Sequence, residues 1–302
     1  YSCRINKFRN ENKFYLYRFY FYDISPMGKI TSRITYAVDP YAVAVGINGD
    51  KGALVDLGGR KVKPRGWGND KTPILQSKED SIIYELHIRD FTIDESSGVL
   101  SKHRGTYLGA VEEGTFYKSA DNSITVRTGL DHLKELGITH VHLMPVFDFG
   151  SVNEMNKDDR NWGYDPKNFN CPEGSYSTDP FNPIVRIKEF RQMVAGFHRN
   201  GIRVVMDMVY NHMMDATNLN NIVPKYYFRT DENGKFTNGS GCGNEMATEK
   251  PMVRKFIVDS CVHWVKDYNI DGLRFDLMEL IDYKTMREIT KRFSALKDHF
   301  LI

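Results

Sequence analysis

The stretch "IRVVMDMVYNH", residues 202–212, is apolar apart from Arg203 and Asp207 until it ends in Asn211 and His212. A near-continuous apolar run without alternation reads as a strand covered on both faces, which is the habit of parallel sheets. Upstream, Asn182 and Pro183 form a cap and first-turn proline, Ile187, Phe190, Val194 and Phe197 fall at helical spacing, and Gly201 stops the helix. Helix, short turn, apolar strand and polar strand end thus form one unit.

The same unit recurs on both sides. Thr128 and Asp131 read as a capping box for a helix with Leu130, Leu133 and Leu136 on one face, ended by Gly137 before the strand "ITHVHLMPV". Another helix starts near Pro251, buries Val253, Ile257, Cys261, Trp264 and Tyr268, and delivers "IDGLRFDL". A further helix carries Met286, Ile289, Phe293 and Leu296 towards "HFLI", and "SIIYELHIRDF", residues 81–91, reads as an earlier strand. Turns from helix to strand take a few residues, whereas the connections from strand to helix span about 89–127, 144–181 and 210–250. Loops of that length are functional when they occur in compact domains, and here all three leave the carboxyl ends of strands, where parallel β/α enzymes build their sites.

An open nucleotide-binding sheet requires G-x-G-x-x-G between a strand and a helix, and the glycine cluster "NGSGCGNE", residues 238–245, sits deep inside a loop. The expected fold is therefore α/β, a (β/α)8 TIM barrel present as its N-terminal half over residues 80–302. Residues 1–60 differ in kind: "KFYLYRFYFYD", "ITYAVDPYAVAV" and "GALVDL" read as short strands, with core packing the expected role of the aromatics. The Gly/Pro/Lys-rich stretch over residues 61–79 reads as a linker.

Composition narrows the partners. With 41 Lys and Arg against 39 Asp and Glu, and no basic stripe interleaved with aromatics, a nucleic-acid partner is not expected. No apolar run reaches the length of a membrane span, so no membrane insertion is expected. Four scattered cysteines without a C-x-x-C pair suggest neither a zinc knuckle nor a disulfide framework and mildly favour a reducing compartment, though no leader is visible and location stays open.

The strand ends carry the candidate chemistry. Asp207, Asn211 and His212 end one strand, Arg274 and Asp276 the next, and "NWGYDP", residues 161–166, lies in the preceding loop. Arg274 and Asp276 are two apart and project to one side, towards the barrel interior, where a guanidinium keeps a carboxylate ionised. A structural ion pair is the bland alternative. Trp162 and Tyr164 offer flat faces for a sugar ring, although either alone fits loop packing equally well, and a lone His212 more often sits satisfied in a core. His140 and His142 alternate as zinc ligands do in some barrel hydrolases, but with no further ligand set evident their expected role is packing or hydrogen bonding. Asp207 and Asn211 offer oxygens to a hard cation, so calcium is possible though not identifiable, and no cofactor is required.

"VVMDMVYNH" and "DGLRFDL", separated by "GSGCGNEMATEKPMVRKFIVDS" and preceded by "NWGYDPKNFNCPEGSYSTDP", resemble the α-amylase family of glycoside hydrolases, and within it the type I pullulanases. "YELHIRDF" is similar to the first barrel strand of that group, and residues 30–60, with "VDPYA", resemble the end of its starch-associated β-sandwich. The resemblance implies that Asp276 is the nucleophile and Arg274 its positioning partner. It makes His212 a hydrogen-bond donor to the sugar and Tyr164 its stacking platform, with Trp162 and Asp165 as further substrate contacts and Asp207 and Asn211 in support. The implied reaction is retaining hydrolysis of α-1,6 branch linkages in pullulan, starch or glycogen, with an α-glucan polysaccharide as partner. An isoamylase-like or α-1,4-acting enzyme, or a non-catalytic glucan-binding protein, is the alternative.

In that family the general acid is a glutamate at the end of the fifth strand. The chain is expected to stop inside that strand at Ile302, so by itself it is expected to be inactive and prone to associate through open sheet edges. Glu279 stands where pullulanases usually have glycine, either as a helix-start carboxylate or crowding a subsite.

Overall fold

The computed structural model describes residues 13–302. Its centre is a parallel sheet of β1 (Ile83–Leu86), β2 (His140–Leu143), β3 (Arg203–Met208) and β4 (Gly272–Phe275), side by side in chain order. Helices α1 (Gly129–Glu135), α2 (Pro183–Arg199) and α3 (Pro251–Tyr268) link these strands, and α4 (Tyr283–Ser294) follows β4. Leu301 then bridges Gly272 in parallel on the outer edge of β4, the beginning of a fifth strand. This is the sequential arrangement of a (β/α)8 barrel, seen over its first half.

The apolar strand run explains the layering. Val141, Leu143, Val204, Met206 and Met208 are buried, and Phe190 of α2 meets Trp264 and Tyr268 of α3 at centroid separations of 5.6 and 5.2 Å. Losing a fully buried aromatic such as Trp264 costs about 3–5 kcal/mol. Register puts Glu85 beside His142, His142 beside Val205 and Asp207 beside Arg274. At the amino end Asp271 pins β4 to β3: it accepts from the Val204 amide at 2.9 Å, His198 Nε2 at 2.8 Å and Lys297 Nζ at 2.9 Å. His198 also reaches Asp70 at 2.8 Å, which fastens the segment before β1 to the sheet's foot.

Several expectations are corrected locally. "SIIYELHIRDF" is strand only over Ile83–Leu86. Ile88–Thr92 turns helical because the His87 ring accepts from the Asp90 amide at 3.2 Å. Thr128 begins α1 without a capping box, since its hydroxyl donates to the Ser97 carbonyl and Asp131 accepts from the Gly114 amide, both at 2.5 Å. Leu296 lies beyond α4. The connection from β2 to α2 contains an antiparallel pair, Phe147–Phe149 with Pro166–Pro172.

Tyr17–Ile24 and Ile30–Ala37 form an antiparallel hairpin. The expected core role of its aromatics does not hold: among the described residues Tyr20 and Tyr22 are 55% and 68% exposed, because a lone hairpin has no second layer. It touches the loop after β3, where Asn218 Oδ1 accepts from the Val38 amide at 2.7 Å. Residues 40–50 grip the antiparallel pair and the loop between its strands. Asn168 Nδ2 donates to the Gly49 carbonyl at 3.0 Å, Lys167 Nζ to the Asn48 carbonyl at 2.7 Å and Asn170 Nδ2 to the Pro40 carbonyl at 3.0 Å, while Asn48 Oδ1 accepts from the Glu154 amide at 2.9 Å. Cys171, Cys242 and Cys261 are free thiols, and Cys3 lies outside the described residues. No helix among the described residues is long and apolar enough to cross a membrane.

Candidate active site

The carboxyl ends of β3 and β4 assemble one charged constellation. Arg274 Nη1 donates to Asp207 Oδ1 and Oδ2 at 3.0 and 2.9 Å and to Asp276 Oδ1 at 3.0 Å. Asp276 sits one residue past β4, its amide held by the Met208 carbonyl at 3.1 Å. Asn211 Nδ2 donates to Asp276 Oδ2 and to its backbone carbonyl, both at 3.0 Å. The fully buried member is Asp207, whereas the Arg274 side chain is 45% exposed. Burial works against the charge on Arg274, but Asp207 and Asp276 outweigh it and hold the guanidinium above its ordinary pKa. Asp207 faces Arg274, and Asn211 faces Asp276.

The loop between the paired strands supplies the wall. Tyr164 donates its hydroxyl to Asp207 Oδ2 at 2.9 Å, and burial together with that carboxylate pushes its phenol well above the ordinary range. Gly163 has φ of 89°, and a Cβ there would meet Pro145 and Phe149 at 2.9 Å, so only glycine turns the chain this tightly. Asn161 fixes the turn: its side chain donates to the Gly150 carbonyl at 2.7 Å and Asp165 at 2.8 Å and accepts from the Gly163 amide at 2.9 Å. Burial raises the Asp165 carboxyl. Arg160, Asn161, Trp162, Tyr164 and Asp165 line an open cavity of about 540 Å³, with Trp162 55% exposed.

His212 is buried. Its Nδ1 contacts Asn211 Oδ1, the Tyr164 backbone is its other hydrogen-bond partner, and burial holds its pKa below the ordinary value. It therefore joins the Asp276 support to the Tyr164 wall as a neutral, satisfied ring. His140 and His142 part company. Burial and Arg203 lower His140 to about 4, leaving a neutral core ring, its Nδ1 against the Thr139 hydroxyl at 2.7 Å. Contrary to the expectation of no further ligand set, His142 groups with Glu85 and Asp207. Glu85 escaped notice because only register, and no sequence spacing, brings it beside His142. Glu279 lies exposed in a 3-10 turn after β4, Met278–Leu280.

The α-amylase catalytic-domain family matches residues 123–235. The pullulanase of Bacillus subtilis strain 168 is 41% identical over 88% of this chain and 36% of its own length. The chloroplastic pullulanase 1 of Arabidopsis thaliana is 37% identical over 92% and 32%. The crystal structure of pullulanase from Paenibacillus barengoltzii in complex with maltohexaose and α-cyclodextrin superposes with a TM-score of 0.86 at 46% identity, over 95% of this chain and 43% of that one. The chain is similar to the α-amylase family of glycoside hydrolases. Within that family it is similar to the pullulanases, and it spans about a third of the length of these curated relatives.

Proposed function

We propose that the full-length protein hydrolyses α-1,6 branch linkages of pullulan, starch or glycogen with retention of configuration, Asp276 acting as nucleophile. The observation that carries this reading is the bridging guanidinium of Arg274, which binds Asp276 on one side and on the other Asp207, the carboxylate that also takes the Tyr164 hydroxyl of the cavity wall. A sugar stacked on that wall presents its anomeric carbon to Asp276. Attack forms a glycosyl ester as the leaving oxygen takes a proton from a second carboxyl group, which the family resemblance puts on the following strand. Water, deprotonated by that same group, then releases the sugar. Retaining hydrolysis sets the two carboxyls roughly 5–5.5 Å apart. The reading uses no cofactor, and its partner is an α-glucan.

Pullulan digestion tests it, because cleavage at α-1,6 bonds releases maltotriose whereas cleavage at α-1,4 bonds releases panose or isopanose. Maltotriose that disappears in Asp276→Asn is the expected result. Panose-type products would refute the linkage, and glucan binding without hydrolysis would refute the chemistry.

A further inference from the structure

The contacts of Asp207 are over-committed on one side and incomplete on the other. Arg274 Nη1 carries two hydrogens yet faces three oxygens at 2.9–3.0 Å, two on Asp207 and one on Asp276. It cannot serve both carboxylates fully at once. On the opposite side His142 Nε2 lies 3.4 Å from Asp207 Oδ2, buried and without a hydrogen-bond partner. Glu85 Oε1 stands 3.6 Å from the other ring nitrogen. With a carboxylate facing each nitrogen, the ring answers both only when both nitrogens carry protons.

A trio of Glu, His and Asp also resembles a metal centre. The Arg274 guanidinium already occupies the same Asp207 carboxylate, and a divalent cation there would be repelled by it. The groups facing His142 are Glu85 from β1 and Asp207 from β3, and Asp207 in turn meets Arg274 from β4 and the Tyr164 hydroxyl from the loop.

We infer that His142, backed by Glu85, is a positioning residue that holds Asp207 while Arg274 is shared with the nucleophile. Free Asp276 carries charge and draws on Arg274, leaving Asp207 with the Tyr164 hydroxyl, and a small rotation of His142 supplies the further donor that this buried carboxylate then takes. Once Asp276 is esterified its charge is gone, and Arg274 returns to Asp207. The row Glu85, His142, Asp207, Arg274 and Asp276 thus spans all four strands as one adjustable chain of contacts. This inference rests on the proposed hydrolase activity.

The test uses the full-length protein on pullulan, with His142→Leu, His142→Gln and Glu85→Gln. His142→Leu is expected to lower kcat by about a hundredfold, the effect of misplacing a reacting group by about 1 Å, with KM within about twofold. His142→Gln, which keeps a side-chain donor, should recover most of that loss, again with KM within about twofold. Glu85→Gln, on a side chain 58% exposed, should fold normally and lower kcat by less than His142→Leu. Variants with wild-type kcat would overturn the inference, as would a His142→Leu loss matched by a fallen Tm and not recovered by His142→Gln. A wild-type protein that releases no maltotriose would overturn the hydrolase reading and this inference with it; an active wild type with indifferent variants overturns the inference alone.

Discussion

Two clusters in this molecule are built from the same parts, one arginine among carboxylates, and they do opposite things. At the rim, Arg274 meets Asp207 and Asp276 with its side chain 45% exposed. Behind the loop that carries Tyr164, Arg186 is fully buried among Asp148, Glu154 and Glu173, all buried as well. Arg186 binds Glu154 with two bonds of 3.1 and 2.7 Å and lies 3.4 Å from Asp148, while its Nε finds no partner. With three carboxyls to one guanidinium, burial and mutual repulsion raise Asp148 well above the carboxylate range and Glu173 to about 7. Solvent access separates the two: the rim cluster leaves Asp276, the proposed nucleophile, partly open to solvent, whereas the buried one fixes loops and tolerates protons.

The contrast breaks first at Arg186. Arg186→Met leaves three buried carboxyls without their cation and is expected to cost about 3–5 kcal/mol of stability by chemical denaturation. If the cost is below about 1 kcal/mol, the buried cluster is not a structural centre. Arg274→Lys is expected to lower kcat on pullulan by about a hundredfold, near 3 kcal/mol, with stability changed by less than about 1 kcal/mol. A lysine cannot span two carboxylates as the guanidinium does. A stability loss as large as that of Arg186→Met would erase the distinction.

Between the clusters lies the turn at Gly163. Forcing alanine into its positive φ is expected to cost about 1–2 kcal/mol and to raise KM for maltooligosaccharides, since Tyr164 is the next residue. The smallest effect is expected at Asp148. Between the ordinary glutamate value of 4.5 and about 7, the folded protein holds a proton on Glu173 that the unfolded chain has released. Stability therefore falls as pH rises through that window and levels off above it. Asp148→Asn, which keeps an acceptor for Asn168, should cost less than about 1 kcal/mol and flatten that decline in melting temperature between pH 4.5 and 7. A steeper decline would contradict the assignment.

Much of the fold was legible because its signals are local. Pro183 and Gly201 bracket α2 and Pro251 opens α3, with the apolar strand after each following directly. Asp207, Arg274 and Asp276 stood out as charges at the ends of apolar runs, and parallel register brought them together. The charge cluster around Arg186 was invisible, since its partners lie 32 and 38 residues away and meet only through the loop's own strand pairing. His142 was weighed as a zinc ligand and set aside, because spacing within one strand cannot reveal Glu85 on the next. Thr128 failed as a cap for the same reason: a carbonyl distant in sequence competed for its hydroxyl.

The grip of residues 40–50 on the antiparallel pair has a consequence in entropy. Ordering a backbone costs about 1–2 kcal/mol per residue, and a mobile loop would charge that cost to every glucan it bound. Here Gly49, Asn48 and Pro40 hold Asn168, Lys167 and Asn170, a few residues from Tyr164. The segment bearing the aromatic wall is ordered when the chain folds, so under the proposed function an arriving sugar meets a rigid surface and keeps more of its contact energy as affinity.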